Sequence, residues 1–232
     1  MSPLRLSSLL ASALIAGVTL FTAGCGTDHA RVRIVHASPD APNVDVLLDG
    51  KKVLTNVAYE TASSYLKVKA GSRKVEVRAT GTTTDAISTT ASVVANKDYT
   101  VLAVDKVASI SALVAQDDNT APASGMVKLR VIHASPTAQT LANVDVYLVA
   151  PGTDITTLTP AISNISFKTI SSYLSVAPGS YEAIVTLTGA KSPRYIDVSG
   201  LTFAAGQIRT IVALDAPGGG TPLTAVVLND LN

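Results

Sequence analysis

Cysteine occurs once in the 232 residues and tryptophan not at all. A single thiol excludes an intrachain disulfide and a thiolate metal cluster. Three Phe and seven Tyr leave little for aromatic platforms on which sugars or bases could stack. Neither sign of charge dominates: 18 Lys and Arg against 17 Asp and Glu give a formal net charge of +1, which excludes a nucleic-acid binder driven by bulk charge. Charged residues are 15% and apolar residues 47%, the opposite of a disordered composition. There is no G-x-S-x-G, H-E-x-x-H, P-loop or G-x-G-x-x-G. The S-x-x-K at Ser64-Tyr65-Leu66-Lys67 lacks the S-D-N and K-T-G partners of penicillin-binding enzymes, and a chance match is the simpler reading. No cofactor is expected.

What the chain does have begins with an address. Residues 1–5 carry one positive charge, residues 6–21 are uncharged and mostly apolar, and Thr22-Ala23-Gly24 precedes Cys25. That order is a secretory leader. Its end resembles a bacterial lipobox, which implies acylation of Cys25, with residues 1–24 removed and 25–30 left as a tether. The alternative is an uncleaved span, since residues 6–27 carry no charge and are long enough to cross a bilayer. Gly26, rather than Asp, follows the Cys, which for a Gram-negative source implies the outer membrane.

The rest of the chain repeats. Residues 32–39 read VRIVHASP and residues 129–136 read LRVIHASP. Asn43-Val44-Asp45-Val46 returns as Asn143-Val144-Asp145-Val146, and Ser63-Ser64-Tyr65-Leu66 as Ser171-Ser172-Tyr173-Leu174. The offset only grows along the chain, so the second copy carries insertions, near 137–142 and 150–160, which belong in loops. Module one is read as residues 31–119, a Pro/Ser/Gly linker as 120–127, and module two as 128–232. Apolar residues alternate with polar ones at Val32/Ile34, Val44/Val46/Leu48, Leu66/Val68 and Val75/Val77. Period two marks strands with one buried face. Asp49-Gly50 and Ala70-Gly71-Ser72 are turn signals. No convincing helical stripe follows residue 25. Seven or eight short strands per module predict an all-β chain of two tandem β-sandwiches, immunoglobulin-like or transthyretin-like, with barrel closure as the alternative.

The HASPDAP run at 36–42, with NVDV just after it, resembles a bacterial domain-of-unknown-function family of secreted or lipid-anchored proteins. The resemblance spans both modules. The second copy departs after HASP, with Thr137-Ala138-Gln139 in place of Asp-Ala-Pro, so a role for Asp40 would not be shared. The resemblance implies an envelope location and a tandem β architecture, and no activity.

Several residues are candidates for structural or binding roles. His36 and His133 share phase with inward residues; each reads as a buried neutral imidazole bonded to Ser38, Ser135 or backbone, or else as half of a proton-transfer or metal site with Asp45 or Asp145. One His per module is too few for zinc, and no metal is expected. Asp45 and Asp145 fall between inward valines and are expected to face solvent. Asp117-Asp118-Asn119 and Asn229-Asp230 read as frayed polar ends, with calcium as the alternative. Tyr65 and Tyr173 are outward by phase, either contact residues or packing between the modules. Arg31, Arg33, Lys67, Lys69, Lys74 and Arg78 are outward in module one, whereas module two keeps Lys128 and Arg130 but has Ser175, Ala177, Glu182 and Thr186 at the other places. With a tether that reaches about 20 Å, the six of module one are expected to face anionic headgroups.

The reading is a lipid-anchored envelope protein, not an enzyme, with a binding or structural role and an unidentified protein or cell-wall partner. The alternatives are a small-molecule, metal or glycan binder, and a hydrolase using His36 or His133.

Overall fold

A computed structural model describes residues 28–231. The leader, the lipobox with Cys25, and the first residues of the tether lie outside the described residues. In module one the strands are β1 (His29–Ala37), β2 (Val44–Leu48), β3 (Lys51–Val57), β4 (Leu66–Lys69), β5 (Gly71–Ala79), β6 (Asp85–Val93), β7 (Asp98–Val104) and β8 (Ser111–Asp117). In module two they are β9 (Val127–His133), β10 (Val144–Val149), β11 (Ile162–Ile165), β12 (Leu174–Val176), β13 (Gly179–Leu187), β14 (Ile196–Phe203), β15 (Ile208–Leu214) and β16 (Thr224–Asn229).

Each module is a sandwich of two four-stranded sheets. The first sheet of module one runs β4-β1-β7-β8 and the second β3-β2-β5-β6. Module two repeats the order as β12-β9-β15-β16 and β11-β10-β13-β14. In both, the first and seventh strands pair in parallel, β1 with β7 and β9 with β15, and every other pair is antiparallel. Between the sheets of module one Val32, Ile34 and Val101 meet Val44, Val46, Val75, Val77 and Ile87. Burying side chains of this size contributes about 1.5–3 kcal/mol each. Leu129, Val131, Val146, Val185, Ile196 and Phe203 form the equivalent core of module two.

Local chemistry sets the connections. Asp49 and Gly50 both take positive φ, 49° and 76°, the geometry of a tight hairpin turn between β2 and β3. Ala70-Gly71 does not close a hairpin: β4 and β5 belong to different sheets, and the turn carries the chain across the sandwich. The Ser-Ser pairs end the pairing of β4 and β12. Ser63 Oγ accepts from Ile34 N–H at 3.0 Å and Ser171 Oγ from Val131 N–H at 2.9 Å, so each substitutes for a missing strand partner.

Both insertions in module two are structured. Residues 137–142, expected as loop, lie mostly within α1 (Pro136–Leu141). Ser135 caps it, accepting from Ala138 N–H at 3.1 Å, and Pro136 stands in its first turn, the placement that Ser-Pro favours. The 150–160 insertion folds back over the outer face of the second sheet, and Ile155 packs on Tyr147 and Ile184.

The modules pack through the outer faces of their first sheets. Val35, Ala37, Leu102, Val104 and Ala115 of module one meet Ile132, Ala134, Val212, Leu214 and Leu228 of module two in one apolar cluster. These are equivalent positions in the two copies, so the contact is a pseudo-twofold. β1 and β7 are therefore buried on both faces.

Candidate functional site

Three pairs of polar residues that the two modules share converge at this seam. Arg33 Nη2 donates to Asp230 of module two at 2.5 Å. Arg130 of module two donates in turn to Asp117 of module one. Within module one, Thr100 Oγ1 accepts from Arg33 Nη2 and donates to Asp117, both at 2.8 Å. Thr210 does the same between Arg130 and Asp230, at 2.9 and 2.8 Å. The guanidinium of Arg33 lies 4.8 Å from the Tyr65 ring centre, and that of Arg130 lies 5.0 Å from Tyr173. Tyr65 donates to Asp117 at 2.7 Å and Tyr173 to Asp230 at 3.4 Å. The result is a closed ring: Arg33, Asp230, Tyr173, Arg130, Asp117, Tyr65 and back. Burial first, and then the neighbouring carboxylate, push both phenols above their ordinary pKa.

Three sequence expectations are corrected here. Arg33 is not membrane-facing; it is 2% exposed, because module two covers this part of β1. Asp117 and Asp230 are not frayed ends; both are buried and ion-paired. Tyr65 and Tyr173 point away from their own sandwich, as their phase requires, and of the two places expected for them they take the one between the modules. Asp45 and Asp145 are not solvated. Asp45 is 2% exposed and accepts from Lys52 Nζ at 2.5 Å, Asn56 N–H at 2.9 Å and Thr80 Oγ1 at 3.2 Å. The Lys52 ammonium first, and then the Asn56 amide, hold its pKa at about 2. Asp145 accepts from Asn164 N–H at 2.8 Å and Gly189 N–H at 2.9 Å. Both carboxylates thus pin an Asn at positive φ, Asn56 at 56° and Asn164 at 55°.

The histidines end β1 and β9 inside the fold. Each is 1% exposed. His36 Nε2 bonds Pro42 O at 3.1 Å, and its Nδ1 accepts from Ser38 N–H at 3.4 Å. Its ring meets Tyr59 edge-on at 5.9 Å. His133 Nδ1 accepts from Ser135 N–H at 3.4 Å and its ring meets Phe167 edge-on at 6.1 Å. Burial lowers the pKa of His36, and pushes His133 down to about 4. Ser135 Oγ donates to Asp215, not to His133, so the imidazole does not sit as a base on that hydroxyl. Thr137 Oγ1 also donates to Asp215, at 2.6 Å.

The six cations expected on one membrane-facing surface are divided. Arg31, Arg33, Lys67 and Lys69 belong to the first sheet, and Lys74 and Arg78 to β5 in the second. Opposite sheets of a sandwich turn their outer faces in opposite directions, so the six share no plane. Lys74 and Arg78 also pair with Glu76, at 2.6 and 3.5 Å, and Arg78 with Asp85 at 2.5 Å. Arg31 pairs with Asp98 at 2.6 and 2.7 Å, which raises its pKa.

Two surface cavities adjoin Arg31. One, of about 390 Å³, is lined by His29, Arg31, Tyr65, Lys67, Lys97 and Asp98, among others. The other, of about 360 Å³, lies between Lys97 and the 116–120 segment. A third, also about 390 Å³, opens on the seam between Ser63 and Asn229. Among the described residues no group of three or more His, Cys, Asp or Glu could hold a metal ion, and no helix is long and apolar enough to cross a membrane.

Residues 30–147 and 140–232 each match the family described as "Domain of unknown function (DUF4397)". The first match runs beyond the first sandwich into β9 and β10. No curated protein matches the chain. Among solved structures, the C-terminal domain of AlgF from P. aeruginosa is similar at 13% identity and a TM-score of 0.28, covering 46% of this chain and 98% of that one. The CBM26 module CBMbc of Eubacterium rectale Amy13K, solved with maltoheptaose, is similar at 8% identity and a TM-score of 0.30, covering 88% and 98%. Likenesses this distant carry no inference about function.

Proposed function

The chain belongs to the DUF4397 family, and from that premise we propose that it is a lipid-anchored envelope protein whose two sandwiches act as one rigid, non-catalytic body for binding or structural support. The observation that carries this reading is the closed ring at the seam. Three of the polar pairs that the two copies share, Arg33/Arg130, Tyr65/Tyr173 and Asp117/Asp230, are engaged in joining the modules. Buried ion pairs are costly to desolvate, so their benefit lies in fixing one arrangement more than in stability. A fixed arrangement suits a spacer or a presenting scaffold. The repeated histidines supply packing at the strand ends, and neither lines the cavities described above.

Anchoring rests on the lipobox-like run ending at Cys25, and Gly26 favours the outer membrane of a Gram-negative cell. Metabolic labelling with a radioactive fatty acid tests it. The wild-type chain is expected to take up label and to sediment with membranes, and Cys25→Ser to do neither. An unlabelled wild-type chain would sink the anchor. A Cys25→Ser chain still held in the membrane would favour the uncleaved span.

A further inference from the structure

At the end of β1 nearest the tether, module two no longer covers the first sheet, and a shelf of cations is left open. Strand register builds it. Lys67 of β4 pairs with Arg31 of β1, and Lys69 with His29. On the other side of β1, Arg31 N–H donates to Lys97 O at 3.0 Å, which brings the β6–β7 turn alongside. Lys67 and Lys97 border the cavity of about 390 Å³ with Arg31 and His29 between them. Two acids are nearby: Asp98 is already held by Arg31 and by Asn119 Nδ2 at 2.7 Å, and Asp28 lies 2.8 Å from His29 Nδ1. Lys67, Lys69 and Lys97 are exposed and form no ion pair with the described residues.

Module two provides an internal control. Its register is the same: Ser175 pairs with Lys128, and Lys128 N–H donates to Gln207 O at 3.0 Å. There Ser175, Ala177 and Gln207 occupy the places of Lys67, Lys69 and Lys97, and Ile208 that of Asp98. Lys128 itself pairs with Asp118 at 2.7 Å. The scaffold thus forms this corner without the cations. Their like-charge repulsion in module one is a cost that folding does not require.

We propose that this shelf binds a phosphate-type oxyanion, with Lys67 and Lys97 as its clamps. It deepens the binding role proposed above by naming a ligand chemistry and a module. The phosphate could be a lipid headgroup or a small soluble ester. Cys25 precedes Asp28 by three residues, a reach of about 11 Å, so an anchored chain would hold the shelf near a bilayer.

The test uses the full chain in a neutral detergent, titrated with inorganic phosphate, glycerol 3-phosphate and short-chain phosphatidylglycerol. Lys67→Ser and Lys97→Gln install residues that the second copy already tolerates, and an unchanged unfolding midpoint confirms that the double variant is folded. Saturable binding that weakens about tenfold or more in the double variant supports the proposal. Equal affinity for the soluble esters identifies a free phosphate, and binding of the lipid alone identifies a headgroup. Lys51→Ser, on the second sheet, is the charge control. No saturable binding of any probe, or an equal loss with Lys51→Ser, would overturn the shelf. Neither result touches the fatty-acid labelling, so the anchor stands or falls separately.

Discussion

Arg33 and Asp230 meet at 2.5 Å across the seam, each almost fully buried, and each is shared with the other module's half of the ring. The consequence for stability is asymmetric. Asp230→Ala leaves the Arg33 guanidinium buried without its anion, and is expected to cost about 3–5 kcal/mol. Replacing both partners, as Arg33→Met with Asp230→Leu, is expected to restore most of that loss. Urea unfolding of the three proteins checks it. A double variant as unstable as Asp230→Ala would mean that the pair itself, not the orphaned charge, stabilises the seam.

The seam is expected to hold without the covalent connection. A protease site placed within residues 121–125 of the full chain, then cut after folding, is expected to leave two halves that co-elute on gel filtration. The apolar cluster and the paired charges supply the contact. The same cut in Arg130→Ala is expected to release them more readily. Halves that separate at once in the wild type would show that the linker alone holds the modules together.

His133 makes stability fall in mild acid. Its folded pKa of about 4 lies below the ordinary 6.5, so the unfolded chain takes up a proton first. Stability is full above pH 6.5 and declines as pH falls toward 4, by about 3 kcal/mol in all. His133→Phe is expected to flatten the curve across that window. Asp45 works lower: its pKa is held at about 2 against 3.8, so its contribution is present above 3.8 and lost as pH falls toward 2. Unfolding free energy measured against pH separates the two windows. An unchanged slope between pH 6.5 and 4 in His133→Phe would rule out this assignment.

Asp145 braces β11 at Asn164 and the turn at Gly189. Asp145→Ala removes the acceptor for Asn164 and Gly189 and is expected to destabilise the protein by about 1–3 kcal/mol. Hydrogen exchange at those two amides should quicken far more than at the seam. Uniform quickening across module two would contradict a local brace.

The repeat and the period-two alternation made the strands and the two sandwiches legible in the sequence. The seam is harder to read, because alternation by itself implies a single buried face. The missing signal was present in Tyr99-Thr100-Val101-Leu102-Ala103-Val104 and in Ile211-Val212-Ala213-Leu214. Near-continuous apolar runs mark strands covered on both sides, the usual state of parallel pairs. Asp45 departs from its phase for another reason. Phase says which side of a sheet a residue faces, but not whether side chains of the neighbouring strand and turn will close over it. The helix in the insertion was signalled by Ser135-Pro136, a cap followed by a helix-starting proline. Nothing in the spacing of Arg33 and Asp230 announced that they would touch, since their pairing follows from how two folded modules dock.

Two of the ion pairs that join the modules, Arg33 with Asp230 and Arg130 with Asp117, are equivalent in space but not along the chain. Arg130 lies 13 residues from Asp117, whereas Arg33 lies 197 from Asp230. Closing the longer loop costs about 2 kcal/mol more in chain entropy. Chain entropy therefore favours the short link over the long one, although the two make the same contacts. Along the chain the pseudo-twofold is broken: one half of the ring joins near neighbours, and the other joins the two ends of the described chain.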